Sequence, residues 1–342
     1  MRRSRSLRAV TLAAALFATA CATPDSTKVR VVVPTGASVR VAADSLASHG
    51  IVASSRLFRA YAWVRGGDRS IRAGTYVLRR GASWETVLQS LRAGRGIVRI
   101  VTIPEGYSLS QIVPLLANRL GVPVDSVRAA VRDTALLARL DVPTPTLEGY
   151  LFPDTYSFPD GTTAREAVDA MVQQFEHQWK PAWTARLDSI GMSRNDVMAL
   201  ASIVEKEAKL PEERPVIAGV YMNRLRAGML LQADPTVQYA LPEHEARLLY
   251  KDLKVESPYN TYKHKGLPPG PIASPGAPSI IAALYPAHVP YRYFVAAPDG
   301  HHEFRVAFSE HAQAVAAMRR ARANAAHKDS SAARTPTPKR GG

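Results

Sequence analysis

The sequence predicts an α+β protein, a small α+β module followed by a larger mixed, helix-rich domain with long Pro- and Gly-rich loops. Three observations lead there. A strand, a glycine turn and a short helix recur three times in the first third of the chain. Two apolar helical patterns follow each other from Ser193 to Leu225, and the stretch from Tyr239 to Pro290 is helix-poor and dense in Pro and Gly. With 342 residues, 46% of them hydrophobic, the chain is long enough for two domains with ordinary cores.

The amino terminus carries an address. Met1 to Arg8 holds four arginines, and Ala9 to Ala22 is an unbroken small or apolar run that stops at Pro24 and Asp25. A run this short suits a signal-peptide core better than a membrane-spanning helix, which needs about 20 apolar residues. Near its end lies Cys21, the only cysteine, which excludes an internal disulfide and is a candidate lipidation site. A lipoprotein, an uncleaved anchor at residues 1–21 and a soluble secreted form all remain open.

The module is expected over residues 27–100. Gly36, Gly81 and Gly106 occupy the same place in VVVPTGASVRVAADSLASHGIV, YVLRRGASWETVLQSLRAGRGIV and VTIPEGYSLSQIVPLLANRLGV. Each is followed by a serine (Ser38, Ser83, Ser108) and later by a leucine (Leu46, Leu91, Leu116). This reads as strand, tight turn, serine N-cap and amphipathic helix. The spacings are unequal, so the repeats do not form a solenoid.

A second domain is expected over residues 101–323. Its first elements are a helix across Val127 to Leu140 and the segment LEGYLFPDTY, where Glu148 is a candidate acid. Tyr150, Phe152 and Tyr156 read either as a sugar-stacking wall or as core. Thr163 with Glu166 forms a capping box that opens a scaffold helix through Phe175.

The centre of the chain is Met198 to Tyr239. Ser193 and Asp196 start a helix on which Val197, Leu200, Ala201 and Val204 mark an apolar face. Glu205 and Glu207 lie about 200° apart on it and cannot share a face. Glu205 reaches Lys209 at i,i+4, whereas Glu207 stands over Leu200, Ile203 and Val204. A carboxyl in apolar surroundings holds its proton towards neutrality, as a general acid must. The alternative is that Glu207 marks only the exposed helix end. The second helical pattern, Pro211 to Leu225, closes a helical hairpin ended by Gly228. Around and beyond it come Asn223, Arg224, Gln232, Asp234, Thr236, Gln238 and Tyr239, the hydrogen-bonding groups of a sugar cleft. Asp234 before Pro235 also reads as a helix N-cap.

In the Pro- and Gly-rich stretch, Tyr259, Asn260, Thr261 and Tyr262 are candidate substrate contacts, because long loops in compact domains are usually functional. A short helix is expected at Ser279 to Leu284, a strand at Arg292 to Ala296 and a last helix from Ser309. His301, His302 and His311 lack the spacing of a metal motif. The net charge of +15 permits nucleic-acid binding, but no zinc-finger spacing or recognition-helix signature accompanies it, so no nucleic-acid partner is expected. A basic surface suits a carboxylate-bearing polymer or an anionic membrane. Residues 324–342 read as a polar, basic tail.

The segments ASIVEKEA, ERPVIAGVYMNRL and GMLLQADPTVQY resemble the central block of the endolytic murein transglycosylase family (MltG-type, YceG-like), and LEGYLFPDTY, SPYNTY, GLPPGPI and YFVA extend the resemblance from about Arg30 to His311. It implies a LysM-like first module and a catalytic second domain. It places the catalytic glutamate on Glu207, implies no cofactor, and makes peptidoglycan glycan strands the substrate. Cleavage between N-acetylmuramic acid and N-acetylglucosamine would leave 1,6-anhydro ends. The resemblance further implies a membrane-anchored enzyme in the cell envelope, its catalytic domain on the extracytoplasmic side, with peptidoglycan synthases as partners. A hydrolytic muramidase using Glu148 with Glu207, and a non-catalytic peptidoglycan-binding scaffold, are the alternatives. The chain departs from the family pattern in its short amino-terminal apolar run and at Val306 to Phe308, where a hydroxyl residue is usual; the second departure is expected to affect only local packing.

Overall fold

The structure, a computed structural model, describes residues 27–66, 71–243, 245, 248–297, 299–318 and 320. The expected amino-terminal segment with Cys21 and the tail 324–342 lie outside the described residues. The chain divides into two compact units between Val98 and Arg99.

The first unit contains β1 (Lys28–Val33), α1 (Val39–Ser48), α2 (Ser55–Val64), β2 (Gly74–Arg79), α3 (Trp84–Ala93) and the first residues of β3 (Ile97–Thr102). β1 and β2 are antiparallel, Lys28 opposite Arg79 and Val33 opposite Gly74, and Tyr76 of β2 faces Ile97. Alternation along β1 turns Val31 and Val33 into a core that also holds Leu46, Phe58, Tyr76, Leu88 and Leu91. The repeat pattern is realised residue for residue. Gly36 and Gly81 both sit at φ +74°, a conformation that needs no Cβ, and Ser38 and Ser83 cap α1 and α3. Helix α2, which the repeat pattern did not announce, starts at its own cap, Ser54, which accepts from the Leu57 N–H.

The third copy opens the second unit. Gly106 has the same φ of +74°, and Ser108 and Gln111 form a capping box on α4 (Leu109–Leu120). The helix expected across Val127 to Leu140 is two helices, α5 (Val124–Ala130) and α6 (Thr134–Leu140). Asp133 breaks it: its backbone is extended, and its side chain accepts from the N–H groups of Ala135 and Leu136. β4 (Thr155–Pro159) follows, preceded by a bond from the Ile103 N–H to the Asp154 carbonyl. Tyr150 and Phe152 are core residues and do not form a sugar-stacking wall. The Thr163–Glu166 capping box starts α7 (Ala164–Gln178), which carries Ala167, Met171, Val172 and Phe175 into the core, and α8 (Pro181–Ile190) comes next.

The centre of this unit is α9 (Arg194–Glu207), where every residue from Val197 to Val204 is buried. It packs against α10 (Arg214–Arg226), α11 (Asp234–Ala240) and α12 (Ala277–Leu284). The one polar group in its buried run, Ser202, donates to the Ala199 carbonyl and accepts from the Ile272 N–H. A 3₁₀ turn at Pro211–Glu213 leads into α10. There Gly219 allows close approach, since a Cβ would overlap the Ala287 carbonyl. β5 (Tyr293–Ala296) and β6 (His302–Arg305) form an antiparallel hairpin with Ala296 opposite His302, and residues 308–318 are helical. Among the described residues no helix is long and apolar enough to cross a membrane.

Candidate active site

The end of α9, the second half of α10, the turn into α11, the β5–β6 hairpin and the helix after it enclose a cleft of about 430 Å³. Glu207 is in its lining. Its Oε1 accepts from the Tyr221 hydroxyl at 3.1 Å, and Tyr221 is itself buried one helix away on α10. Burial, then the nearby charge of Asp234, pushes the Glu207 carboxyl up to about 7; the Tyr221 hydrogen bond and the Arg224 cation pull the other way without cancelling it. Burial and the Glu207 charge also push the Tyr221 phenol well up, so Tyr221 keeps its proton and acts as donor.

Asp234 is the second carboxylate in the lining, its Oδ1 accepting from the Tyr262 hydroxyl at 2.5 Å. It is the first residue of α11 and makes no cap hydrogen bond, so the N-cap reading is corrected: its carboxylate serves the cleft. Gln232 precedes it at φ +50°, a strained conformation for a residue with a Cβ. A buried threonine pair holds that strain in place. Thr236 Oγ1 and Thr261 Oγ1 lie 2.8 Å apart, Thr261 Oγ1 accepts from the Ala233 N–H, and the Thr261 carbonyl accepts from the Gln232 N–H.

Arg224 and a group of rings make up much of the rest of the lining. Arg224, only 7% exposed, donates to the carbonyls of Arg292 at 2.6 Å and Leu231 at 2.7 Å and lies 5.2 Å from the Tyr293 ring. Phe294 meets Tyr221 edge-on at 5.8 Å and His302 at 5.1 Å. His302 is oriented by Glu213, whose Oε2 accepts from Nδ1 at 2.6 Å and whose Oε1 accepts from the His302 backbone N–H at 2.7 Å. Phe308 and His311 complete the lining. The His311 imidazole has its pKa lowered by burial and then by Arg224 and Arg305.

Of the expected site residues, Glu207, expected as the acid, and Gln232, Asp234 and Tyr262, expected as substrate contacts, line this cleft. The others are framework. Thr236, Thr261 and Asn260 are buried, Asn260 Nδ2 donating to the carbonyls of Leu253 and Val255 and its Oδ1 accepting from the Tyr262 N–H. Asn223 Nδ2 donates to the carbonyls of Val289 and Tyr291, fixing the approach to β5. Glu148 is 3% exposed, takes the Leu109 N–H on both oxygens at 3.1 Å, and is not in the cleft lining. Burial pushes it up to about 7 as well, against hydrogen bonds from Leu109 and Tyr239. A raised carboxyl without access is an anchor, so the expectations of Glu148 as acid or substrate contact are corrected. Tyr239 packs against Tyr259 at 4.8 Å and hydrogen-bonds Glu148, which places both tyrosines with that anchor.

Glu205 also departs from its expected role. Its partner is Arg214 at 3.6 Å and not Lys209, its Oε2 accepts from the Gly276 N–H and the Ser279 hydroxyl, and its side chain is 8% exposed. A helix packed by three others does not keep the solvated side that a Glu205–Lys209 pair needs. Tyr221, Phe294, His302, Phe308 and His311 were missed as cleft residues. Tyr221 reads as one more apolar position of α10, and the others belong to a hairpin and helix whose return to α9 has no local signal. Val306 to Phe308 reaches the cleft through Phe308, so the family departure there touches the site and is not confined to local packing.

A model of the YceG-like family matches residues 31–317. The endolytic murein transglycosylase of Bacillus subtilis (strain 168) is 35% identical over 304 residues, which make up 84% of this chain and 84% of that protein. That of Streptococcus pneumoniae serotype 2 is 30% identical over 299 residues, 78% of this chain and 54% of the longer relative. The crystal structure of a YceG-like protein from Listeria monocytogenes superposes with a TM-score of 0.61 at 32% identity, covering 84% of this chain and 98% of that one. Matched over most of its length in sequence and in fold, the chain belongs to the YceG-like family.

Proposed function

We propose that the chain is an endolytic peptidoglycan lytic transglycosylase, cutting glycan strands between N-acetylmuramic acid and N-acetylglucosamine, limiting strand length and leaving 1,6-anhydromuramic ends. The observation that carries the reading is a carboxyl held near neutrality in the wall of a polar cleft, Glu207 beneath Tyr221 and beside Asp234. Protonated, Glu207 gives its proton to the glycosidic oxygen as the bond from C1 breaks. Ionised, it takes the proton of the C6 hydroxyl as that oxygen bonds to C1. The first proton leaves on the released N-acetylglucosamine hydroxyl, the C6 proton restores the carboxyl, no water is consumed, and a single cycling carboxyl suffices. Asp234 keeps proton affinity high at Glu207 and places negative charge where the sugar ring becomes positive. Arg224 and Gln232 supply donors, and Phe294 and Phe308 offer apolar ring surface.

The presence of a second carboxylate, Asp234, favours a hydrolytic muramidase as the runner-up, since hydrolases use two. The products decide. Mass spectrometry of digested glycan should find muramic ends about 18 mass units, one water, lighter than reducing ends; reducing ends would establish hydrolysis instead. Envelope localisation, with the catalytic unit on the extracytoplasmic side and an anchor at residues 1–21 or Cys21, is supported by the arginine-led apolar run and by the place where such a substrate is found. Enzymes that synthesise the strands are the partners this reading calls for.

A further inference from the structure

Helix α2 buries one side and leaves the other without a partner. Phe58 and Ala62 are fully buried, whereas Leu57 is 61%, Trp63 71% and Val64 74% exposed. With a helical advance of about 100° per residue, Leu57, Ala60 and Val64 form one stripe and Trp63 borders it on the side of Arg56. Arg56 and Arg59 are exposed on the outward side and make no ion pair among the described residues. Arg65, one residue past the helix, pairs with Glu85 at 3.8 Å and lies over the Tyr61 ring, so the two arginines beside the stripe are the ones without an ion pair among the described residues. A soluble helix would place polar side chains at these positions. Apolar residues with an exposed tryptophan and neighbouring arginines are the pattern of a helix that lies in the headgroup region of a bilayer.

We propose that this face of α2, Leu57, Trp63 and Val64 with Arg56 and Arg59 on the Trp63 side, rests on an anionic lipid surface. The inference deepens the anchored-enzyme reading and rests on it. The apolar run ends at Ala22 and β1 begins at Lys28, and the residues between them reach about 20 Å even fully extended. An anchor in that run therefore holds the first unit at the membrane, where a second contact gains from high effective concentration. Charge complementarity selects the lipid, because the chain carries a net +15 and anionic headgroups attract arginines close to the surface. A glycan platform fits less well. Sugars bind concave sites with a few placed polar groups, and Trp63 stands on the outer face of a helix with apolar and arginine neighbours.

The full chain, reconstituted in vesicles of phosphatidylcholine with phosphatidylglycerol, gives the test when some lipids carry brominated acyl chains that quench tryptophan. Trp63 is one of four tryptophans, so about a quarter of the emission should be quenched, and Trp63→Phe should abolish that quenching. Omitting phosphatidylglycerol, or introducing Arg56→Glu with Arg59→Glu, should reduce it at least about twofold. Glycan cleavage by Trp63→Phe should be unchanged. Chain that floats with the vesicles while Trp63 stays unquenched would overturn the docking face and leave the anchor standing; chain that does not float would overturn both. Trp63 emission that responds to purified sacculi and not to vesicles would assign the face to glycan. Loss of cleavage in the wild type would count against the catalytic reading alone.

Discussion

On one side of the last turn of α9, Glu205 meets the Gly276 N–H, the Ser279 hydroxyl and the Arg214 guanidinium; on the other, Glu207 meets one phenol and the charge of Asp234. Both carboxyls are drawn out of water, so burial does not separate them. Their partners do. A set of donors and a cation suits a charged carboxylate and makes Glu205 a clamp between α9 and the start of α12. A single donor, and a like charge that outweighs the Arg224 cation, favour the proton on Glu207, the state the proposed acid needs.

The largest effect that sharpens the contrast is on turnover. Glu207→Gln keeps the hydrogen-bonding shape but has no carboxyl proton to give, so cleavage of purified glycan strands should fall at least about 10²-fold, while the fold melts no earlier than the wild type. Glu205→Gln should do the reverse. It removes one of the two carboxylates near Arg214, Glu105 being the other, and leaves the Gly276 and Ser279 donors with a weaker acceptor, which costs about 2 kcal/mol and lowers the melting temperature by roughly 4–8 °C, while molecules still folded cleave within about tenfold of the wild type. A stable, inactive Glu205→Gln beside an active Glu207→Gln would move the acid to the other face.

A smaller effect is the pH dependence of stability. The Glu207 pKa rises from the ordinary carboxyl range in the unfolded chain to about 7 in the fold, so the folded state binds the extra proton between those values. Its contribution is therefore present below pH 4 and lost as pH rises through 7. Melting curves of wild type and Glu207→Gln should coincide near pH 4 and separate by at most about 3 kcal/mol above pH 7, with the glutamine variant the more stable. The smallest effects come from the neighbours. Asp234→Asn removes a like charge and should move the alkaline limb of kcat/KM to lower pH, whereas Tyr221→Phe removes a bond to the ionised form and should move it to higher pH, each by less than about one unit. Shifts of the same sign would mean that the limb does not report Glu207.

Much of the local structure was legible because it is written in neighbouring residues. The Gly-x-Ser starts of α1, α3 and α4, the capping boxes of α7 and α9 and the hairpin of α9 with α10 all depend on groups a few positions apart. Asp133 shows the limit of periodicity, because an apolar spacing that continues through it hid a cap that divides α5 from α6. In the site, the raised carboxyl of Glu207 is legible as a carboxylate over apolar neighbours. The threonine pair, by contrast, was read as substrate contact, since a hydroxyl that binds sugar and one that pins a strained Gln232 look alike in sequence. Glu205 was misread because which faces of a helix are covered is decided by elements as distant as Gly276 and Ser279. The placing of Phe294, His302, Phe308 and His311 in the lining depends on the same long-range return.

The central claim, that Glu207 holds a proton near neutrality, is tested most directly by carboxyl-carbon NMR of glutamate-labelled protein titrated from pH 3 to 9, in the wild type and in Glu207→Gln. Two carboxyls should titrate near pH 7, Glu148 and Glu207, and the glutamine variant should lose one of them. A resonance lost in Glu207→Gln that titrates near pH 4 in the wild type would contradict the account.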